Sequence, residues 1–406
     1  MIGSGKSIGR AIVILMIASA CQALGSEMSD AEMEALYLER FNALFDRTSR
    51  TGLDAYDPLK RVPGAGPWRP LPVRAVEDRQ VDDSALRQAA AYAGRNNSSA
   101  FIVWVDGAIE GQHYFADFQP DSLLVGKSLA KPLGVIAVGR AIEKGFIESL
   151  SQPASDFITE WRGTPKAAIT IEDLLGMQSG LLPQAIARSP DDILNRAYLH
   201  PAHDEVIIND YPLVDPPGER YEYSNANSEM VSPIIKRATG VAYEDWVSSE
   251  VLVPLGAPGG EIWMNREGGV AHSGCCILLP AEAYLRLAIL LLRDGVWEGR
   301  RLLPEGYVAA MRRPRSGNVN AGLGLYLGTP YRERRGAMNP EATMGATLHS
   351  EPYAAADLFL FDGNSNQVVY IVPSRQTIVL RLGAWPPKDP AWDNSVLPNT
   401  ILRGME

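Results

Sequence analysis

The chain has 406 residues, 46% of them hydrophobic and 21% charged, an ordinary globular mix long enough for one large core or two joined lobes. Its formal net charge of -10 argues against a nucleic-acid surface, which normally carries a basic patch. There is no repeat period and no low-complexity tract, so nothing suggests a solenoid or a compositionally disordered chain.

The first segment reads as an address rather than as fold. Lys6 and Arg10 supply a positive start, Ala11 to Ala20 (AIVILMIASA) an apolar run too short to span a bilayer, and Ala18-Ser19-Ala20 an A-x-A cleavage signal. The expectation is a signal peptide over residues 1–20 and an exported protein, periplasmic or membrane-anchored. Cys21 follows the cleavage signal and is a candidate lipid anchor, although a typical lipobox would have Leu where Ala18 stands. After export two cysteines remain, Cys275 and Cys276. They are adjacent, and because a bond between neighbours is strained, two buried thiols are expected.

Residues 29–50 carry Leu36, Phe41, Leu44 and Phe45 at helical spacing, with Ser29 or Asp30 able to cap the start. This helix and an arm make up residues 21–54. A Pro- and Gly-rich stretch from Asp57 to Pro72 follows, expected to lie ordered over the surface because Trp68 needs burial. Residues 83–95 read as a helix. Ala100 to Val105 reads as a strand, Asp106-Gly107 as a turn and Gln112 to Phe115 as the return strand. Helical patterns dominate from 126 to about 300. Two β-rich runs, 367–372 and 377–382, flank a Pro373-Ser374-Arg375 turn near the C-terminus. This order predicts a domain over 55–406. An α/β lobe is built from both chain ends, about 55–125 and 300–406, and a helical lobe of about 126–299 is inserted between them.

Ser128-Leu129-Ala130-Lys131 is the only S-x-x-K in the chain. Residues 128–145 read as a helix in which Pro132 is tolerated only in the first turn. That places Ser128 at the helix start and Lys131 on the same face. A serine hydroxyl is a poor nucleophile until a neighbour takes its proton. A nearby ammonium and the positive helix end stabilise the developing alkoxide, and the apolar flanks favour a desolvated lysine of lowered pKa. Tyr223-Ser224-Asn225 is the only Y-x-N, and a tyrosine near that lysine is a candidate general base. Asp362 to Gln367 (DGNSNQ) directly precedes the strand at 368–372.

The order Ser128-x-x-Lys131, Tyr223-x-Asn225, then a glycine-bearing segment before a C-terminal strand resembles class C β-lactamases and the D-Ala-D-Ala peptidases and serine esterases of that superfamily. The segment Ile169 to Leu181 (ITIEDLLGMQSGL) resembles their I-T-I-x-x-L-L-x-M-x-S-G-L text, and Ala238-Thr239-Gly240 and Pro254-Leu255-Gly256 have counterparts there. The resemblance covers roughly residues 55–385 and is nearest to the nylon-oligomer (6-aminohexanoate-dimer) hydrolases. It implies a β-lactamase/transpeptidase-like α/β fold, an antiparallel sheet flanked by helices plus an inserted all-α lobe. By position, Ser128 would be the nucleophile and Lys131 would hold or accept its proton. Tyr223 would be base and then acid, and Asn225 would orient Lys131 or the substrate. Gly363 and Asn364 would border the oxyanion hole, with the Ser128 and Asn364 N–H groups as donors. No cofactor or metal is implied; the partner expected is a small ester, amide or short peptide.

One departure stands out. Where β-lactamases have Lys-Thr-Gly, this chain has Phe361-Asp362-Gly363. A lysine there would bind a substrate carboxylate, whereas Asp362 is expected to repel one, which favours neutral or cationic esters and amides. A β-lactamase or D-Ala-D-Ala peptidase, and a non-catalytic cell-wall-binding module, stay open as rivals. Two P-loop-like fragments, Gly3 to Ser7 and Gly126 to Ser128, lack the first glycine of that motif. His200 and His203, beside Asp204 and Glu205, read as a polar surface loop rather than a metal site. His272 is left undecided between a place near the site and a structural role.

Overall fold

The computed structural model describes Met1, residues 28–45, and residues 56–405 except 186, 337 and 343–345. The signal-peptide segment after Met1 and Cys21 lie outside the described residues. Helix α1 spans Asp30–Phe45. Ser29 starts it with a reciprocal cap: the Glu32 N–H donates to Ser29 Oγ and the Ser29 N–H donates to Glu32 Oε2. Its buried anchors are Tyr37 and Phe41. Tyr37, which the apolar spacing did not single out, donates to the Pro190 carbonyl at 2.5 Å.

The Pro- and Gly-rich stretch from Asp57 to Pro72 contributes strand β1 (Leu59–Val62). Trp68 is half-buried and donates to Glu282. Helix α2 (Asp83–Arg95) leads into strand β2 (Ser98–Val105), which returns through Asp106-Gly107 as β3 (Ala108–Tyr114). Gly107 has φ 93°, a conformation that costs a residue without Cβ little. A short strand β4 (Leu124–Val125) precedes the turn of 3₁₀ helix at Lys127–Leu129 and helix α3 (Ala130–Glu143). Helix α3 is buried from Ala130 to Ala141, as expected of a helix apolar on all sides. Pro132 sits in its first turn, and Gly145, at φ 76°, ends it.

The inserted stretch contains α4 (His203–Asn209) and α5 (Asn225–Glu229). It is not all helical. Strands β5 (Gly260–Trp263) and β6 (Ile277–Leu279) join β1 and β4 in a four-stranded antiparallel sheet of order β1-β5-β6-β4. These runs are short and flanked by other buried residues, so periodicity alone does not separate them from helix. Helix α6 (Ala281–Leu292), buried along its whole length, then crosses back towards the main sheet.

Strands β7 (Tyr326–Leu327), β8 (Phe359–Gly363), β9 (Gln367–Val372) and β10 (Thr377–Gly383) complete a six-stranded sheet of order β3-β2-β10-β9-β8-β7. All its pairings are antiparallel. Both faces are covered, so period two shows as a division between two cores rather than as polarity. Ala100, Ile102 and Trp104 of β2 join the core shared with α3 and α6. Phe101, Val103 and Val105 face the other, with α2 and the last helix, α7 (Val396–Arg403). Strands β9 and β10 alternate in the same way. The exception is Arg381 of β10, wholly buried, whose guanidinium donates to the carbonyls of Asn96, Ser365, Asn366 and Ala384. A buried charge requires this density of acceptors. Its effect is to clamp the turn at residues 364–366 between β8 and β9.

Candidate active site

Ser128 lies in the 3₁₀ turn that feeds α3, and Lys131 is in the first turn of α3. One turn of helix therefore brings the two side chains together: Lys131 Nζ is 3.1 Å from Ser128 Oγ. Tyr223 arrives from the inserted lobe, with its Oη 2.9 Å from the same Ser128 oxygen. Asn225 is the first residue of α5, and its Oδ1 accepts from Lys131 Nζ at 3.0 Å. The third Lys131 donor goes to the Gly274 carbonyl at 2.9 Å, a partner that no sequence motif announced.

The Tyr223 segment is held from several sides. Tyr223 donates its N–H to the Met338 carbonyl, and its own carbonyl accepts from Gln184. The ITIEDLLGMQSGL segment supports it from below. Thr170 and Asp173 form a capping box on the helix at Ile171–Leu175, which steers the chain so that the Met177 carbonyl accepts from the Glu222 N–H. Ser179 then donates to Asn227 of α5.

Lys131 is 6% exposed. Burial, offset in part by Glu229, pulls its pKa down to about 7. Burial pushes the Tyr223 phenol up to about 12, against the lowering effect of its Ser128 hydrogen bond. At neutral pH Tyr223 keeps its proton, while an appreciable fraction of Lys131 is a neutral amine. The acceptor set has a consequence for that amine. Asn225 Oδ1 and the Gly274 carbonyl each take one N–H, leaving the lone pair towards Ser128 Oγ. The arrangement can take the serine proton at Lys131 and give one from Tyr223.

Strand β8 closes the other side. A Cβ on Gly363 would lie 3.0 Å from the Gly126 carbonyl and 3.2 Å from the Ser128 nitrogen, so Gly363 lets β8 run directly against the Ser128 turn. Asn364 follows it and is exposed, at the turn that Arg381 clamps. Gly363→Ala is expected to lower kcat/KM about 10- to 100-fold through displacement of the Ser128 turn, with little loss of folded protein. Steady-state kinetics beside a thermal melt would check this.

Three sequence readings need correction. Asp362 was expected to confront the substrate with negative charge; it is instead paired with Arg335, with both side chains largely buried. Its repulsion of a carboxylate is thereby largely cancelled. Phe361, where β-lactamases have lysine, is fully buried in the core. His203 is not on a surface loop: it is wholly buried, stacked on His272 and close to Glu229. Cys275 and Cys276 are joined as a disulfide rather than left as thiols, among the aromatic residues around Trp263.

A beta-lactamase family model matches residues 73–393. The chain is 24% identical over 237 residues to the 6-aminohexanoate-dimer hydrolase of Paenarthrobacter ureafaciens, a match that spans 53% of this chain and 57% of that protein. The chain thus matches little more than half the length of that relative. Among solved structures, a provisionally named 6-aminohexanoate-dimer hydrolase from Bacillus anthracis is similar at TM-score 0.68 and 18% identity, over 90% of this chain and 96% of the other. A penicillin-binding-protein homologue from Caulobacter crescentus is similar at TM-score 0.59 and 16% identity, over 80% and 98%. At such identities the structural likeness speaks for fold alone. The family match, over most of the chain, identifies it: the protein belongs to the beta-lactamase family of β-lactamase/transpeptidase-like fold, with 6-aminohexanoate-dimer hydrolase among its relatives.

Proposed function

We propose that this protein is an exported serine hydrolase that cleaves an ester or amide bond through an acyl-enzyme on Ser128. The observation that carries the reading is the convergence of Lys131 Nζ and Tyr223 Oη on Ser128 Oγ, at 3.1 and 2.9 Å. Neutral Lys131 accepts the hydroxyl proton as Oγ adds to the carbonyl carbon. The carbonyl electron pair moves to its oxygen, where the Ser128 and Asn364 N–H groups are the proposed donors. On collapse the C–X bond breaks, and the leaving group takes the Tyr223 proton. The Lys131 ammonium, 4.9 Å from the centre of the Tyr223 ring, restores that proton. Water then repeats the sequence on the ester. This assigns the first proton transfer to Lys131 rather than to Tyr223, because burial lowers the lysine and raises the tyrosine.

The substrate class follows from the β8 wall. Phe361 is buried there and the Arg335 charge is engaged by Asp362. Neither offers the free ammonium that a Lys-Thr-Gly lysine gives a penicillin carboxylate. Short uncharged esters and amides are the proposed substrates. The test is turnover of a short-chain aryl ester beside nitrocefin. Ester turnover with little nitrocefin turnover is expected; nitrocefin as the better substrate would make the protein a β-lactamase, and turnover of neither would favour a binding module.

The pH profile gives a second check. The base form of Lys131 is needed, so kcat/KM for a neutral ester is expected to rise with pH through about 7 and then level off. Lys131→Met should remove that limb along with most of the rate. A limb that survives this substitution would take the base role away from Lys131.

A further inference from the structure

Directly behind Lys131 lies a cluster of three buried side chains that the proposed reaction does not use. Glu229 is the last residue of α5 and sits four residues beyond Asn225, so the two share a face of that helix. Its Oε2 accepts from the Ser273 N–H at 3.0 Å. It also lies 3.4 Å from His203 Nε2 and 3.5 Å from His272 Nδ1. All three side chains are 0% exposed. The imidazoles are stacked with centroids 4.0 Å apart, and the Trp263 ring covers the other face of His272 at 3.7 Å.

Two imidazoles and a carboxylate with ligand atoms within 4.8 Å of one another suggest a metal site, but the ring geometry opposes it. Imidazole lone pairs lie in the ring plane, and zinc needs nitrogen at about 2.0–2.1 Å. Two rings 12° from parallel and 4.0 Å apart cannot both aim at one ion. What the geometry suits is an ionised carboxylate flanked by two ring nitrogens, a buried negative charge with polar company.

That charge faces Lys131 across one peptide unit. The Gly274 carbonyl accepts from Lys131 Nζ at 2.9 Å, while a Cβ on Gly274 would fall 2.9 Å from Glu229 Oε1. Among the described residues, the same Oε1 has no hydrogen-bond partner. Gly274 is therefore a thin partition with the lysine on one side and the carboxylate on the other. We propose that Glu229, held between His203 and His272, is a positioning residue for the Ser128 site: its buried negative charge acts through the Gly274 partition and governs how readily Lys131 takes the serine proton.

The electrostatics agree. Glu229 favours the Lys131 ammonium against burial. Burial pushes the Glu229 carboxyl up, but the neighbouring His272 and His203 outweigh it and hold it well below its ordinary range. His272 is itself pulled down to about 4, first by burial and then by His203. The other titratable groups that feel the Glu229 charge are Tyr198, Tyr223 and Tyr243, all raised chiefly by burial. Arg40 acts on His272 from the far side of the cluster.

This inference rests on the proposed role of Lys131, and its test separates the two. The rate at which a fluorophosphonate labels Ser128 would be followed against pH in the wild type, Lys131→Met and Glu229→Gln. Glutamine retains an acceptor for the Ser273 N–H while the charge is lost. The wild-type limb is expected to vanish in Lys131→Met and to move to lower pH by about one unit in Glu229→Gln, because the ammonium loses a favourable partner. A limb that depends on Lys131 but does not move in Glu229→Gln would overturn the proposal and leave the Lys131 role intact. A limb indifferent to Lys131→Met would strike the Lys131 role instead. The second measurement needs neither a limb nor a folded Glu229→Gln. The ring resonances of His272 would be followed against pH by NMR in the wild type and Lys131→Met. Glu229 acts on both His272 and Lys131 and coupling is reciprocal, so the His272 titration should shift when Lys131 is removed. Superimposable curves would overturn the proposal.

Discussion

Ser128→Ala is expected to abolish fluorophosphonate labelling and to lower ester kcat/KM by at least ~10⁴-fold, with the fold unchanged. The magnitude follows from the loss of a covalent route: in enzymes that act through a serine, removal of the nucleophile alone costs about as much as removal of the whole proton-transfer set. The fold should tolerate the change because Ser128 is half-buried and its side-chain partners are Lys131 and Tyr223. Without the hydroxyl, Lys131 keeps Asn225 Oδ1 and the Gly274 carbonyl as acceptors. Intact mass after labelling is the readout, with one adduct on the wild type and none on the variant. An adduct that persists on Ser128→Ala would place the reactive serine elsewhere. Ester turnover near the wild-type rate in that variant would remove the acyl-enzyme reading altogether.

Arg335→Met is expected to destabilise the protein by about 3–5 kcal/mol. The Arg335 and Asp362 side chains are 9% and 11% exposed and directly paired, and the guanidinium carbon lies 4.0 Å from the Tyr326 ring centre. Truncating the arginine leaves the Asp362 carboxylate buried and uncompensated on the strand that borders the site. Replacing both partners by apolar residues removes the two desolvation costs together, so Arg335→Met with Asp362→Leu should recover most of the loss. Denaturant unfolding of the two variants beside the wild type measures this. A single variant within about 1 kcal/mol of the wild type would show that solvent, rather than Arg335, compensates Asp362. Activity offers a parallel reading. Asp362 already contributes to raising Tyr223, so its uncompensated charge should make the tyrosine a weaker proton donor.

The legible parts of this protein are those governed by local rules. The hairpin at Asp106-Gly107, the helix at 83–95 and the paired runs at 367–372 and 377–382 follow from turn chemistry and apolar runs, and they stand where expected. Ser128 and Lys131 were legible because helical spacing alone brings residues three apart to one face. Tyr223 and Asn225 were found by resemblance, since nothing in spacing ties them to a residue nearly a hundred positions earlier.

The tertiary structure decided the charges. Asp362 read as a repulsive wall because its sequence neighbours include no cation. Arg335 compensates it from 27 residues away, and no local pattern marks that pairing. His203 read as surface because Asp204 and Glu205 follow it, yet the turn of α4 sends His203 inward while those neighbours leave on other faces. Glu229 carried a faint signal, four residues after Asn225 on a short helix. Its partners His203 and His272 come from both sides of it in the chain, and only the packing of α4 against the loop before β6 assembles them. Local preferences act over a few residues and are visible in a sequence. A buried charge is set by what the fold brings within a few ångströms, and that is decided only once the chain has folded.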